Sequence, residues 1–379
     1  QPARALRTAD PPNPSQRLIP ATMRAAVLTG LGGPEVLVLR DDVPVPVPAA
    51  NEVLIHVAAC GMNNTDINTR VGWYSKSVTE ATSGDGFAGA SSDDGTWSGS
   101  GFQFPRIQGA DPSGRVVAVG ADVDAALIGR RALVDCCLRD ADEPMRRELA
   151  GYLGSERDGG FAEYVSVPVR NVHVHNSDLT DVELASFPCS WATANHMQHR
   201  IRLTAGDSIL VTGASGGVGS ALVSLAKLRG ATVTAVCSAS KADGVRALGA
   251  DHVIDRSHAD LHAAARDANG GPFDVVADVV GGPDTPGWFE SLRRGGRYVT
   301  CGAIAGPIVD LDLRTLYLND LEFHGTTVYE PSVFADLVNI IERGDARPVV
   351  GAVYPLEQIH EAQEAFQHKQ HVGAMVLTL

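Results

Sequence analysis

Ser208-Ile-Leu-Val-Thr-Gly213-Ala-Ser-Gly-Gly-Val-Gly219-Ser-Ala-Leu222 is the stretch on which the fold turns. An apolar run of strand character leads into four glycines within seven residues, and a helix-forming segment reaching Arg229 follows. Residues without a Cβ let the chain turn sharply and bring its backbone against a pyrophosphate. The helix start adds unpaired N–H groups and the positive end of its dipole. The spacing, G-x-x-G-G-x-G, departs from the usual G-x-G-x-x-G, so the turn alone decides little. Its surroundings decide more. Apolar runs at Thr232–Cys237, His252–Ile254, Asp274–Val280, Arg297–Cys301 and Leu321–Gly325 alternate with helical patterns such as Lys241–Leu248. That alternation means βαβ units and a doubly wound parallel sheet.

Gly213, Ser215, Gly216, Gly217, Val218 and Gly219 are therefore expected to hold a dinucleotide. The end of the second strand bears on which one. A 2′-hydroxyl is bound by Asp or Glu about 20 residues past the glycines. Here the segment is Ala235-Val-Cys-Ser-Ala-Ser-Lys241, with no acid until Asp243 in the next helix. Ser238 and Ser240 can donate to a 2′-phosphate and Lys241 can neutralise it, so NADPH is expected. The competing reading makes Ser240 a helix cap and Lys241 a solvated helix residue.

The front of the chain has another rhythm. From Met23 to about Pro168, short runs such as Val36–Leu39, Val53–Val57, Arg115–Val119 and Ala132–Val134 are broken by Gly and Pro, which suggests a small barrel or sandwich. Within it, 14 of the 19 residues from Ser83 to Gly101 are Gly, Ser or Asp, either a lid over a site or an unstructured insertion. The opening Gln1–Thr22, with prolines at 2, 11, 12, 14 and 20, reads as a disordered leader without a secretory h-region. A net charge of −14, from 31 basic and 45 acidic residues, argues against general nucleic-acid binding. No apolar run is long enough to span a membrane. The six cysteines form no C-x-x-C pair and read as reduced thiols of a cytoplasmic protein.

Taken with Gly61-Met-Asn-Asn-Thr-Asp66, Gly109-Ala-Asp-Pro-Ser-Gly114, Gly159-Gly-Phe-Ala-Glu-Tyr164 and Leu248-Gly-Ala-Asp251, the glycine turn resembles the medium-chain dehydrogenase/reductase superfamily. Within that superfamily the chain is similar to the zinc-independent quinone oxidoreductase-like branch. The resemblance implies a GroES-like β-barrel domain at 23–170, with a flexible insertion at about 75–104, and a Rossmann domain at 171–345. A C-terminal return to the barrel at 346–379 and an active site between the domains complete the implied layout.

Zinc-dependent members carry Cys where this chain has Asn63, His where it has Ala110 and Glu where it has Asp111; only Cys189 matches a thiolate ligand. One soft ligand cannot hold a catalytic Zn²⁺, which needs three protein ligands and an open position. His196 and His199 beside Cys189, and the pair His173 and His175, read as structural. No metal is expected.

By the same resemblance Thr65 stands where the family keeps a hydroxyl on the substrate oxygen, and Asn63 can face nicotinamide or substrate. Tyr74 of Gly72-Trp-Tyr74 resembles the family's tyrosine at the substrate pocket, whose phenol can donate to an enone or quinone oxygen. Thr193, Val280 and the Cys301-Gly302-Ala303 turn are implied cofactor contacts. Three readings remain open: an NADPH-dependent reductase of quinones or activated alkenes, a zinc-free NADPH-dependent alcohol dehydrogenase or carbonyl reductase, and a non-catalytic crystallin-like binding protein. Residues 321–328 resemble the edge strand through which family members form a homodimer.

Overall fold

The computed structural model describes residues 19–98 and 101–379, so most of the expected leader lies outside the described residues. Six parallel strands, Ser208–Val211, Thr232–Cys237, His252–Asp255, Phe273–Asp278, Leu292–Thr300 and Glu322–Gly325, form one sheet. Numbering these from one to six in chain order, they lie 3-2-1-4-5-6 across the sheet. This is the doubly wound Rossmann arrangement, whose strand order reverses beside the first strand and opens a crevice at the carboxyl ends there. The glycine turn sits at that point. Strands buried on both faces read as continuous apolar runs, which is why Ile209, Val211, Val233 and Val275 are all inaccessible to solvent.

The fourth strand ends two residues before the hydrophobic run does. Asp278 is the reason: its Oδ1 accepts the Thr212 hydroxyl at 2.6 Å and the N–H groups of Val280 and Gly281 at 2.9 and 3.1 Å. Those bonds turn Val279 and Val280 out of the ladder and into the crevice.

Antiparallel strands dominate the front half. Glu52–Met62 is the spine of the barrel, pairing with Asp111–Val119 on one side, Tyr164–Pro168 along its first half and Ala374–Thr378 along its second. Val350–Pro355 pairs in turn with Ala374–Thr378, so the C-terminus closes a sheet begun some 300 residues earlier. Helix Ile359–His368 lays Ile359, Ala362 and Phe366, three and four residues apart, on the barrel core. Each large apolar side chain so buried is worth about 1.5–3 kcal/mol.

Helix Pro188–Arg200 joins the halves. Proline at its first position fits helix geometry without losing a hydrogen bond. Asn195 in its middle donates to the Val333 carbonyl at 2.9 Å, and the helix packs against Gly217–Leu228 and Pro331–Arg343. A second tie is ionic: Arg139 reaches Asp135 at 2.7 Å and the Tyr329 carbonyl at 2.7 Å, and the Tyr329 hydroxyl donates to Asp135 at 2.7 Å. No helix among the described residues is long and apolar enough to cross a membrane.

Candidate active site

Between barrel and Rossmann sheet lies a cavity of about 500 Å³. Its Rossmann wall begins at the glycine turn. Gly213 has φ +56°, and a Cβ there would meet the Val279 and Val280 side chains at 2.9 and 3.0 Å. A Cβ on Gly219 would stand 2.1 Å from the Gly213 carbonyl oxygen, so only glycine lets the helix approach its strand this closely. Both glycines, with Ser215, Gly216, Gly217 and Val218, line the cavity. The cradle that a Cβ would fill, open at a helix N-terminus and at the strand-order reversal, fits a dinucleotide pyrophosphate.

Ser238 and Lys241 line the cavity beyond the second strand; Ser240 does not, although its hydroxyl is 3.4 Å from that of Ser238. Arg256, one residue past the third strand, lines the same end. From the C-terminal return come Lys369 and His371. Lys241 Nζ donates to the Lys369 carbonyl at 2.9 Å, and Lys369 Nζ donates to Asn64 Oδ1 at 2.7 Å while lying 3.6 Å from the Phe366 ring centroid. Burial, and then the like charge of Lys241, bring Lys369 down to about 7. Burial first, then Lys369 and Lys241, hold His371 at about 4, and its Nδ1 is buried without a hydrogen-bond partner. Burial and Arg256 lower Lys241 as well. Lys241, Arg256 and Lys369 gather at this end of the cavity, which is the chemistry of an anion site.

Nearer the barrel the cavity is walled by Asn63, Thr65, Tyr74, Thr193 and Cys189. Asn63 ends the long barrel strand and opens helix Asn64–Val71; its backbone N–H donates to Asp66 Oδ2 at 2.7 Å. Its side-chain amide donates to Asp111 Oδ2 at 3.0 Å, and the Cys189 N–H donates to Asp111 Oδ1 at 2.8 Å. Burial drives Asp111 well above the usual carboxylate range, with the Asp66 charge adding to it. Tyr74 donates to Thr65 Oγ1 at 3.1 Å, leaving the Thr65 hydroxyl proton free to point into the cavity. Val280, Cys301, Gly302 and Ala303 close the wall opposite the glycine turn.

The glycine- and serine-rich stretch carries no strand or helix in its described part, yet it is tied to the site. The Thr82 N–H donates to the Ile304 carbonyl at 3.0 Å, Thr96 is buried, and Trp97 stacks on Tyr152 with ring centroids 5.2 Å apart. Tyr152 donates to Cys189 Sγ at 2.6 Å. The histidines near Cys189 are engaged elsewhere, His196 edge-on to Tyr329 and His199 on Asp336 at 3.3 Å. Among the described residues no three His, Cys, Asp or Glu side chains are grouped to hold a metal ion.

The cavity gathers every residue that the sequence reading named for the site except Ser240, and it adds Arg256, Lys369, His371, Tyr152 and Trp97, which that reading did not name. Arg256 had a usable signal, a cation directly after the third strand of a Rossmann sheet. The other four belong to the return segment, the insertion and the two-residue strand Gly151–Tyr152, whose position depends on long-range packing.

Residues 49–177 match the model of the alcohol dehydrogenase GroES-like domain, and residues 217–343 match that of a zinc-binding dehydrogenase. Quinone oxidoreductase of Lama guanicoe is 28% identical over 94% of this chain and 97% of its own length. An NAD-dependent alcohol dehydrogenase of Sulfurisphaera tokodaii is also 28% identical, over 94% of this chain and 99% of its own. A solved structure of a putative alcohol dehydrogenase from Sinorhizobium meliloti 1021 superposes with a TM-score of 0.87 at 48% identity, covering 95% of this chain and 97% of that one.

Proposed function

The chain belongs to the medium-chain dehydrogenase/reductase superfamily, and from that premise we propose an NADPH-dependent reductase that delivers hydride to a quinone or enone without catalytic zinc. The superfamily makes it an oxidoreductase using a nicotinamide dinucleotide; the finer reading rests on this chain's residues. One observation carries it: the cavity ends, beyond the second strand, on Ser238, Lys241 and Arg256, where a 2′-hydroxyl would call for a carboxylate. Asp243, the first acid in sequence, pairs with Arg246 instead.

When bound, the reduced nicotinamide supplies the hydride. The residues of the chain orient the reaction. Thr193, Val280 and the Cys301–Ala303 turn, which line the cavity, would hold the nicotinamide end. Thr65 presents a hydroxyl to the acceptor's carbonyl oxygen, and Tyr74 fixes that hydroxyl by donating to its oxygen. Negative charge gathers on the acceptor oxygen as hydride arrives, so a placed donor lowers the barrier. Asn63, held by Asp111, positions the acceptor or the nicotinamide.

The residues present do not fit a catalytic zinc ion. Asn63 and Ala110 offer no charged or imidazole ligand, Asp111 is bonded to Asn63 and to the Cys189 backbone, and Cys189 Sγ faces the Tyr152 hydroxyl. The sheet edge at Glu322–Gly325, flanked by exposed Leu313, Tyr317 and Leu318, supports a homodimer built through that strand.

The deciding experiment is NADPH oxidation with quinones, enones and ketones, before and after chelation. Turnover of quinones or enones that survives chelation is expected. Turnover of ketones alone supports a zinc-free carbonyl reductase, and tight NADPH binding without turnover supports a non-catalytic protein. Stoichiometric zinc whose removal abolishes activity overturns the proposal.

A further inference from the structure

Tyr152 comes from the two-residue strand Gly151–Tyr152, far in sequence from Asn63, Thr65 and Cys189. Its ring is buried and its hydroxyl enters the same cavity as theirs. Three contacts hold it there. The Tyr152 N–H donates to Glu156 Oε2 at 2.7 Å, Trp97 lies along its ring with an interplanar angle of 27°, and its hydroxyl meets Cys189 Sγ at 2.6 Å.

The last distance has a chemical meaning. A zinc ion sits about 2.3 Å from a thiolate ligand. The Tyr152 hydroxyl is in contact with that sulfur and its residue lines the cavity, so it takes up space that an ion on Cys189 would need. By the resemblance Asn63 and Asp111 stand at the other positions that a metal would use, and they are bonded to each other at 3.0 Å, with Asp111 also holding the Cys189 N–H. The pocket of a Lewis acid has become a pocket for one phenol.

We propose that Tyr152 is a catalytic residue, whose hydroxyl donates a hydrogen bond to the acceptor's carbonyl oxygen from the position beside Cys189 that a metal would occupy. With an enone, hydride from the reduced nicotinamide would form a C–H bond at the β-carbon, the C=C pair would shift toward the carbonyl carbon and the C=O pair onto oxygen; with a quinone, hydride would go to one oxygen and the ring electrons would shift onto the other. In both, Tyr152 and Thr65 would hold the oxygen that gains charge from two sides. The proton that completes the product comes from water. In the absence of acceptor the Tyr152 hydrogen points to Cys189 Sγ; with acceptor bound it swings to the carbonyl, and the Cys189 S–H group donates to the phenol oxygen in its place. Trp97 keeps the ring from leaving, which gives the glycine- and serine-rich stretch a task at the site.

The inference rests on the reading above that a carbonyl-bearing acceptor is reduced, and the test separates the two. Cyclohexenone and benzoquinone serve as acceptors for wild type and Tyr152→Phe, with the NADPH Kd measured for both proteins. If wild type reduces neither, the functional reading fails first. If wild type is active, Tyr152→Phe should lose about 10²-fold in kcat, as for the loss of one oxyanion donor, and should bind NADPH within about twofold of wild type.

The carbonyl stretch of cyclohexenone bound beside NADP⁺ supplies a readout that packing alone would not move. It should shift to lower frequency in wild type and lose most of that shift in Tyr152→Phe. Should that variant not fold, 3-fluorotyrosine placed at position 152 keeps the shape and strengthens the donor, so the shift should grow. Unchanged kcat in Tyr152→Phe, a carbonyl frequency that ignores both replacements, or a stoichiometric metal bound at Cys189 would overturn the assignment.

Discussion

Replacing Lys241 by alanine should weaken NADPH and leave NADH nearly untouched. Its ammonium group has three donors, of which one is spent on the Lys369 carbonyl, so two remain for a 2′-phosphate. A hydrogen bond to a charged group contributes about 1.5–3 kcal/mol, or roughly 10- to 150-fold in Kd. Two features of the site move the expectation to the lower end. Arg256 stays behind as a second cation at the same end of the cavity. Loss of Lys241 also relieves the like charge that lowers Lys369, so Lys369 holds its proton more firmly and takes up part of the phosphate's attraction. The expected loss is therefore about tenfold for NADPH and about twofold or less for NADH, which lacks the 2′-phosphate. Removing Lys241 and Arg256 together should abolish the preference. The assay is a fluorescence titration of each cofactor at one ionic strength, because salt screens half-buried charges. Equal weakening of both cofactors, no weakening of either, or a wild type that prefers NADH would refute the reasoning.

Four further outcomes are expected. Thr65→Val should reduce kcat by about 10²-fold and Tyr74→Phe by less, since Tyr74 acts through Thr65; near-wild-type kcat in both would remove them from the acceptor site. Lys369, at about 7 in the free protein and raised by a bound phosphate, is already charged below that pH, so NADPH binding takes up a proton only above it. The Kd should therefore rise as pH climbs past about 7 and stay flat in Lys369→Met; a flat wild-type profile is the contrary result. Asp135→Asn strips the partner from a guanidinium whose side chain is 7% exposed and should cost about 3–5 kcal/mol in denaturant unfolding, with a loss under about 1 kcal/mol counting against a buried pair. Tyr317→Asp, on a surface where Leu313 and Tyr317 are 63% and 62% exposed, should turn a dimer into a monomer by light scattering; a wild type already monomeric at micromolar concentration would end the dimer proposal.

Much of the molecule is local enough to be read along the chain. A short β-branched run set between helical patterns reads as a buried parallel strand, so Thr232–Cys237 was legible to the residue. Gly213 and Gly219 were legible because a turn that admits no Cβ announces itself. The strand of Phe273–Asp278 was read two residues too long, since hydrophobicity continues through Val279 and Val280 while the Asp278 carboxylate ends the ladder by taking their turn's N–H groups. Ser240 shows the same limit: its hydroxyl is the right type at the right strand end, but the single turn Ala239–Lys241 leaves it off the cavity wall.

The sequence by itself determined the two-part architecture, the glycine cradle and the absence of an acid where a 2′-hydroxyl would need one, because each depends on residues adjacent in the chain. Only the tertiary structure decided which other residues line the cavity. Lys369 reaches Asn64 across 305 positions, Tyr152 meets Cys189 across 37, and Trp97 finds Tyr152 from a stretch whose composition left a lid and an unstructured insertion both open. Such contacts are set by how the C-terminal strands close the barrel and by how burial sorts a tryptophan from its glycine and serine neighbours. Both are properties of packing in three dimensions, where sequence separation costs little once the loop has closed.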